Sequence, residues 1–123
     1  MSIYVQNEHG TIEISSKAIA TIVGAAATEN FGVVGMASRQ QVRDGINEIL
    51  NKENYTRGIV VRPEEDNSFA VDVYIIVSYG VKISEVSYNV QERVTYRLSH
   101  SLGLIPNSVN VYVQSVLVPK NDN

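Results

Sequence analysis

Histidines and clustered carboxylates are the side chains best suited to chemistry in this sequence, and both are sparse. His9 and His100 are the only histidines, and neither has a neighbour at metal-ligand spacing. No G-x-S-x-G elbow is present, and spacing assembles no Ser-His-acid set. The run Glu64-Glu65-Asp66 lacks the alternating ligands and turn glycine of an EF-hand loop, so a solvated hairpin tip is favoured over a cation site. We therefore expect no enzyme, no catalytic residue and no metal site.

Nucleotide and nucleic-acid binding need a separate examination. There is no Walker glycine-lysine loop and no G-x-G-x-x-G after a strand, so no nucleotide cofactor is expected. The G-V-V-G motif at residues 32–35 lies between two predicted helices, which is the element order of a KH domain that clamps RNA over such a loop. The valines offer a phosphate neither charge nor hydrogen bond, and the net charge of −3 disfavours nucleic acid. The other interpretation is that the glycines bracket a buried turn or short strand. The RNA-binding hypothesis would use Gly32, Gly35, Arg39 and Arg43.

Length and composition are those of one globular domain, spanning residues 1–123. The chain has 123 residues, 44% of them hydrophobic and 19% charged, and no cysteine. Its start carries no basic segment followed by an apolar core, so no signal peptide is expected. The longest apolar stretch, residues 73–77, is far shorter than the roughly 20 residues that cross a bilayer. We therefore predict a cytoplasmic protein that does not insert directly into a membrane.

Hydrophobic periodicity predicts an α+β domain with the order β-α-β-α-β-β-α-β. Helices of this kind cover one face of a mainly antiparallel sheet. Gly32 and Gly103 are expected to end the first and last helices, and Pro63 to end the first strand of the hairpin. The predicted elements are a strand at 11–14, a helix to about 30, a short strand or loop at 31–35, a helix at 38–50, a hairpin of 58–62 with 69–78, a helix at 84–102, a strand at 109–118 and a frayed tail at 119–123.

Strand alternation supplies the one candidate binding surface. Residues 71, 73, 75 and 77 are all Val or Ile and are predicted to lie beneath the helices. The opposite face is mixed, and its tyrosines would meet if these two strands are neighbours, as in many contact surfaces. The alternative is that the predicted helix at 38–50 simply covers this face. The candidate partner-binding residues are Tyr74, Ile76, Tyr112 and Gln114.

Several separate blocks of the chain resemble the alkaline shock protein 23 family, also called the Gls general-stress family. The similarity covers nearly the whole sequence and is closest to the short, tail-free subgroup of Gram-positive bacteria. The blocks that carry it are GTIEIS at 10–15, GVVGMAS at 32–38, EILNKEN at 48–54 with RG at 57–58, VDVYIIVSYG at 71–80, ISEV at 83–86, NVQ at 89–91 and VNVYVQ at 109–114.

The resemblance implies an abundant cytoplasmic protein without known enzymatic activity, linked to alkaline or cell-envelope stress. Some members are recruited to the membrane by a separate anchor protein, and some are encoded beside a fatty-acid kinase. It therefore implies binding or scaffolding through protein-protein contacts, with a membrane anchor or a lipid-metabolism enzyme as the partner. A homo-oligomer is also expected. The chain lacks the long charged tails of larger members, which argues against a filament or membrane-scaffold role. No functional residue carries over from the family.

Overall fold

The computed structural model of this chain describes residues 2–38, 49–50 and 52–119. Two α-helices and seven β-strands are present in these residues, with short 3-10 helices at Lys52–Gly58 and Glu65–Asn67. The strands are β1 (Ser2–Asn7), β2 (Gly10–Ser15), β3 (Val33–Ala37), β4 (Ile49–Leu50), β5 (Ile59–Glu64), β6 (Ser68–Ser78) and β7 (Ser108–Leu117), and the helices are α1 (Ser16–Thr28) and α2 (Ile83–Leu102).

The central strand of the main sheet is β6. Along one side it pairs antiparallel first with β5 and then with β3, which in turn pairs antiparallel with β4. Along the other side it pairs with β7 in parallel, from Ala70↔Ser108 to Ser78↔Leu117. The crossover between β6 and β7 is α2, the kind of connection that a parallel pair requires.

Both helices pack on the same face of this sheet and form one core with it. Every second residue of β6 faces the helices, and Val71, Val73, Ile75 and Val77 are all 0% exposed. The stripe on α2 meets them through Val86, Val90, Val94 and Leu98, and α1 adds Ile19, Val23, Ala26 and Ala27. Each large aliphatic side chain buried in this way contributes about 1.5–3 kcal/mol before conformational entropy is subtracted.

The helix ends follow from local capping. Ser15 has an extended backbone, and its Oγ accepts a hydrogen bond of 3.1 Å from the amide of Ala18, which caps α1. Gly103 ends α2 in the left-handed conformation at φ 68°. Gly32 has the predicted positive φ, 94°, but it lies in the turn into β3 and does not end α1, whose C-cap is Glu29 in the right-handed conformation.

The predicted fold class and order of elements are confirmed, with differences in detail. An additional strand, β1, pairs with β2 as a separate antiparallel hairpin. Ile49 and Leu50 form a strand beside β3, so the helix predicted for residues 38–50 does not extend to Leu50, and the rest of that prediction, residues 39–48, lies outside the described residues. The loop predicted after residue 50 contains a 3-10 helix. Of the predicted tail, Pro119 has no regular structure and 120–123 lie outside the described residues.

The prediction that Pro63 ends its strand is wrong, because β5 continues to Glu64 and Pro63 pairs with Phe69 in register. Among the described residues β5 pairs with β6 alone, so it lies at an edge of the sheet. A proline can occupy an edge strand because its missing N–H can face away from the ladder.

Candidate functional site

The sheet face opposite the helices carries a row of polar and aromatic side chains. It arises from strand alternation, because the residues of β6 between the four buried aliphatic side chains point to the other face. The parallel register sets Asp72 beside Asn110 and Tyr74 beside Tyr112. The two tyrosines predicted to be close together are therefore neighbours across adjacent strands.

Tyr74 and Tyr112 form a stacked pair. Their ring centroids are 4.9 Å apart and the ring planes differ by 17°. Tyr112 is 41% exposed, whereas Tyr74 is half-buried. An aromatic pair of this kind contributes about 0.5–1.5 kcal/mol beyond the area it buries. The stacking restrains the orientation of both rings on the sheet face opposite the helices.

Next to the tyrosines, Asp72 connects three strands. Its Oδ2 accepts a hydrogen bond of 2.7 Å from Arg62 Nε, and its Oδ1 accepts bonds of 3.0 Å from Arg62 Nη2 and from Asn110 Nδ2. Asp72 is 6% exposed, so these charge-assisted bonds offset the cost of burying a carboxylate. They join β5, β6 and β7 on this face.

The same network fixes a cation beside the aromatic pair. The hydrogen bond with Asp72, and then its charge, raise the pKa of Arg62, with smaller contributions from Glu64 and Tyr112. The Arg62 side chain remains 44% exposed while it is held by Asp72. A guanidinium restrained in this way loses less conformational freedom when it contacts another molecule.

The other two predicted partner-binding residues differ from the tyrosines. Ile76 is 1% exposed, so it lies beneath the surface and offers a partner no contact area in this conformation. Gln114 is half-buried and has no register partner, because β6 passes from Ile75↔Val113 directly to Ile76↔Ser115. It is therefore the extra residue of a β-bulge. We define the tyrosine surface as Arg62, Tyr74, Tyr112 and Gln114.

The G-V-V-G motif does not form the loop that a KH domain requires. Gly32 lies in the turn after α1, and Gly35 is buried within β3, opposite Ile76. A Cβ at Gly32 would lie 2.8 Å from Val86 Cγ2, so this turn packs closely on α2. The motif is a turn that leads into a short strand, as in the second of the two interpretations above, but the glycines do not bracket that strand, because Gly35 lies inside it. Arg39 and Arg43 lie outside the described residues.

The side chains with catalytic potential are dispersed in the described part of the chain. His9 is exposed in the β1–β2 turn, 3.5 Å from Glu8, whereas His100 stacks on Tyr96 on the outer side of α2. Glu64, at the acidic tip, accepts a 2.9 Å hydrogen bond from Asn107. Within residues 2–38, 49–50 and 52–119, no three His, Asp or Glu side chains are grouped so as to hold a metal ion.

Sequence reasoning missed the Arg62–Asp72–Asn110 network. One signal was present, because Asp72 is the single charged residue in the strand at residues 68–78. The network could not be predicted in full, because the register between β6 and β7 cannot be read from the sequence. That register sets Asn110 beside the Asp72 carboxylate.

Comparisons with known proteins identify one family over nearly the whole chain. The model of the alkaline shock protein 23 family, described as having a "cell envelope-related function", matches residues 4–118. A Bacillus subtilis protein named "uncharacterized protein YloU" is 51% identical over 118 residues, which cover 96% of this chain and 98% of that protein. "Uncharacterized protein Spy1614" of Streptococcus pyogenes is 52% identical over 96% of this chain and 97% of its own length.

A more distant relative is "uncharacterized protein YqhY" of Bacillus subtilis, 33% identical over 87% of this chain and 77% of its own length. No solved structure matches the chain. No helix among the described residues is long and apolar enough to cross a membrane. The family model and these relatives cover almost the whole sequence, and the chain therefore belongs to the alkaline shock protein 23 family, whose function is related to the cell envelope.

Proposed function

We propose that this protein is a non-enzymatic, cytoplasmic binding or scaffolding module of cell-envelope homeostasis, and that it contacts a protein partner through the tyrosine surface. The observation that carries the proposal is the stacked pair of Tyr74 and Tyr112, 4.9 Å apart on the sheet face opposite the helices. Tyrosine and arginine are enriched at interface hot spots, and this surface holds both.

The chemistry of the surface favours a protein over a small molecule or a nucleic acid. Tyrosine rings present apolar area together with a hydroxyl, so they pack against side chains and bond to backbone groups. Arg62 adds a restrained cation, which suits a carboxylate or a carbonyl of the partner. The family resemblance suggests a membrane anchor or a lipid-metabolism enzyme as the partner, and a stress of the alkaline or envelope kind as the setting.

The test is affinity purification of the full chain from cells that make it, with identification of bound proteins by mass spectrometry. Tyr74→Ala combined with Tyr112→Ala removes both rings and leaves Asp72 and Arg62 in place. The matched control is Tyr88→Ala with Tyr96→Ala, since these tyrosines are 58% and 55% exposed on α2, which packs on the other face. Circular dichroism first confirms that both variants fold.

We expect a partner that the wild type and the control variant retain and the Tyr74/Tyr112 variant loses. With the purified partner, the affinity of that variant should fall at least about 30-fold, because a hot-spot tyrosine contributes about 2 kcal/mol or more. Equal recovery of every protein by all three chains would rule out this surface as the binding site. Loss only in the control variant would place binding on α2 instead.

A further inference from the structure

The outer side of β7 is an unpaired strand edge. This strand pairs with β6 along its whole length on one side, from Ser108 to Leu117. On its other side none of the described residues pairs with it. Such an edge presents backbone N–H and C=O groups to solvent, and natural proteins generally protect it against pairing with another chain.

The protection is present on β5 and missing on β7. Near its end β5 carries Arg62, Pro63 and Glu64, which are a cation, a proline and an anion of the kind that block edge pairing. Residues 108–118 contain no proline and no charged residue, although the whole chain has 10 basic and 13 acidic side chains. Their sequence, SVNVYVQSVLV, therefore lacks the residues that usually protect a strand edge.

Exposure along this strand supports the same view. Tyr112 is 41% exposed, Val116 40% and Leu117 47%, and Val118, directly after the strand, is 60% exposed. At the start of the strand one backbone group is already occupied, because Gln91 Nε2 on α2 donates a 2.9 Å hydrogen bond to the carbonyl of Val109. The edge therefore offers residues 110–118 for pairing.

We propose that the β7 edges of two copies of this chain pair antiparallel around a two-fold axis and join the two sheets into one. In a symmetric antiparallel contact each residue faces a residue of the same strand in the partner copy, and a residue near the axis faces itself, so a charge near the axis would meet a like charge. An uncharged strand has no such repulsion, and a second copy offers an edge of the same length. The midpoint of residues 110–118 is Gln114, which sets the axis near this bulge.

The pairing has a geometric consequence for the tyrosine surface. A two-fold axis perpendicular to the joined sheet keeps the same face of both copies on the same side. Tyr112 of one copy and Tyr112 of the other then contribute to one continuous surface, with both helical layers on the far side. The dimer itself does not depend on the proposed function, although it would make that surface bivalent.

Cysteine cross-linking tests the proposal directly, because the natural chain has no cysteine. In the purified protein, any disulfide between chains of a single-cysteine variant must join two copies. Gln114→Cys should cross-link readily, because its two copies would face each other across the axis. Their Cβ atoms would then be close to the separation of about 3.5–4.5 Å that a disulfide needs. Asn110→Cys should not cross-link to itself, because its two copies would lie roughly 27 Å apart. The control is Ser99→Cys, an exposed position on α2.

Antiparallel pairing adds a sharper expectation. Asn110→Cys and Val118→Cys lie opposite each other in the joined sheet, so a mixture of the two should yield the mixed disulfide in excess over either self-disulfide. Cross-linking no faster than the Ser99→Cys control at positions 110, 114 and 118, alone or mixed, would overturn the proposal. The proposal would also be overturned if, in cells, Gln114→Cys formed disulfides with a different protein and none between two copies of this chain.

Sedimentation equilibrium supplies an independent measurement. The wild type should be a dimer, and Gln114→Lys should weaken dimerisation about fivefold, since like charges would meet near the axis. Position 114 has no register partner in β6, so the substitution leaves the β6–β7 ladder intact. A wild type that is monomeric at every concentration would contradict the dimer. Tyr74→Ala should leave the dimer intact while weakening partner binding, so the two proposals fail separately.

Discussion

Asp72 is a buried polar side chain that links three strands of the sheet. It is 6% exposed and receives three hydrogen bonds from Arg62 and Asn110. The network holds together the three strands that carry the tyrosine surface. Its loss is therefore expected to affect stability and the orientation of the aromatic pair together.

We predict that Asp72→Asn lowers the free energy of unfolding by about 1–3 kcal/mol, because the neutral amide cannot accept the charge-assisted bonds from Arg62. Urea denaturation of wild type and variant measures this difference. The control is Glu65→Gln, an exposed carboxylate at the hairpin tip, which should change stability by less than about 0.5 kcal/mol. Equal midpoints for Asp72→Asn and wild type would show that the network contributes nothing.

Gly32 and Gly80 allow backbone strain to be separated from crowding. Both have positive φ angles, 94° and 91°, so alanine is strained at either position. At Gly80 an added Cβ meets nothing within 4 Å, whereas at Gly32 it would lie 2.8 Å from Val86 Cγ2. Val86 is buried and β-branched, so it cannot easily turn away.

We therefore predict that Gly80→Ala costs about 1–2 kcal/mol through the backbone alone, and that Gly32→Ala costs at least about 1 kcal/mol more. Thermal and urea unfolding of the two variants compare them directly. If Gly32→Ala were as stable as Gly80→Ala, the close packing of the turn on α2 would be incorrect.

Single residues were predictable from sequence where local geometry decides them. The left-handed cap at Gly103 follows from the need to end a helix, whereas the positive φ of Gly32 serves the turn into β3. The burial of Ile76 did not follow, because strand alternation shows which face a side chain points to and not what covers that face. For the same reason the buried state of Asp72 was not predicted.

Among the elements, α1 depends on a single capping side chain. Ser15 Oγ accepts from the Ala18 amide at 3.1 Å, and no acidic residue lies in the first turn to assist. We predict that Ser15→Ala destabilises the protein by about 1 kcal/mol. Ser16→Ala is the control, since Ser16 is the first residue of the helix and the capping oxygen belongs to Ser15. Equal unfolding midpoints for the two variants would contradict the capping role.

Long elements were predicted better than short ones. Periodicity over many residues identified α2 and β6 nearly to the residue, because each buries a repeated stripe in the core. The short strands β1 and β4 were missed. Only pairing with β2 and β3 makes them strands, and a sequence does not show that pairing.

At the level of the molecule, fold class was predictable because the apolar positions allow one economical arrangement, helices on one face of a sheet. Membership of the alkaline shock protein 23 family, shown over residues 4–118, agrees with the resemblance found in the sequence blocks. The tyrosine pair was predictable only on the condition that β6 and β7 are neighbours, and their parallel register meets that condition. The binding of a protein partner to the tyrosine surface stays a prediction.

Site-specific photo-cross-linking in living cells tests that prediction most directly. Tyr112 is replaced by benzoylphenylalanine in one chain and Tyr88, exposed on α2, in another, so that each probe keeps an aromatic ring in place. We predict that illumination joins the chain with the probe at position 112 to a distinct protein, and that the probe at position 88 yields no such product. A product from position 88 alone, or none from either, would contradict binding through the tyrosine surface.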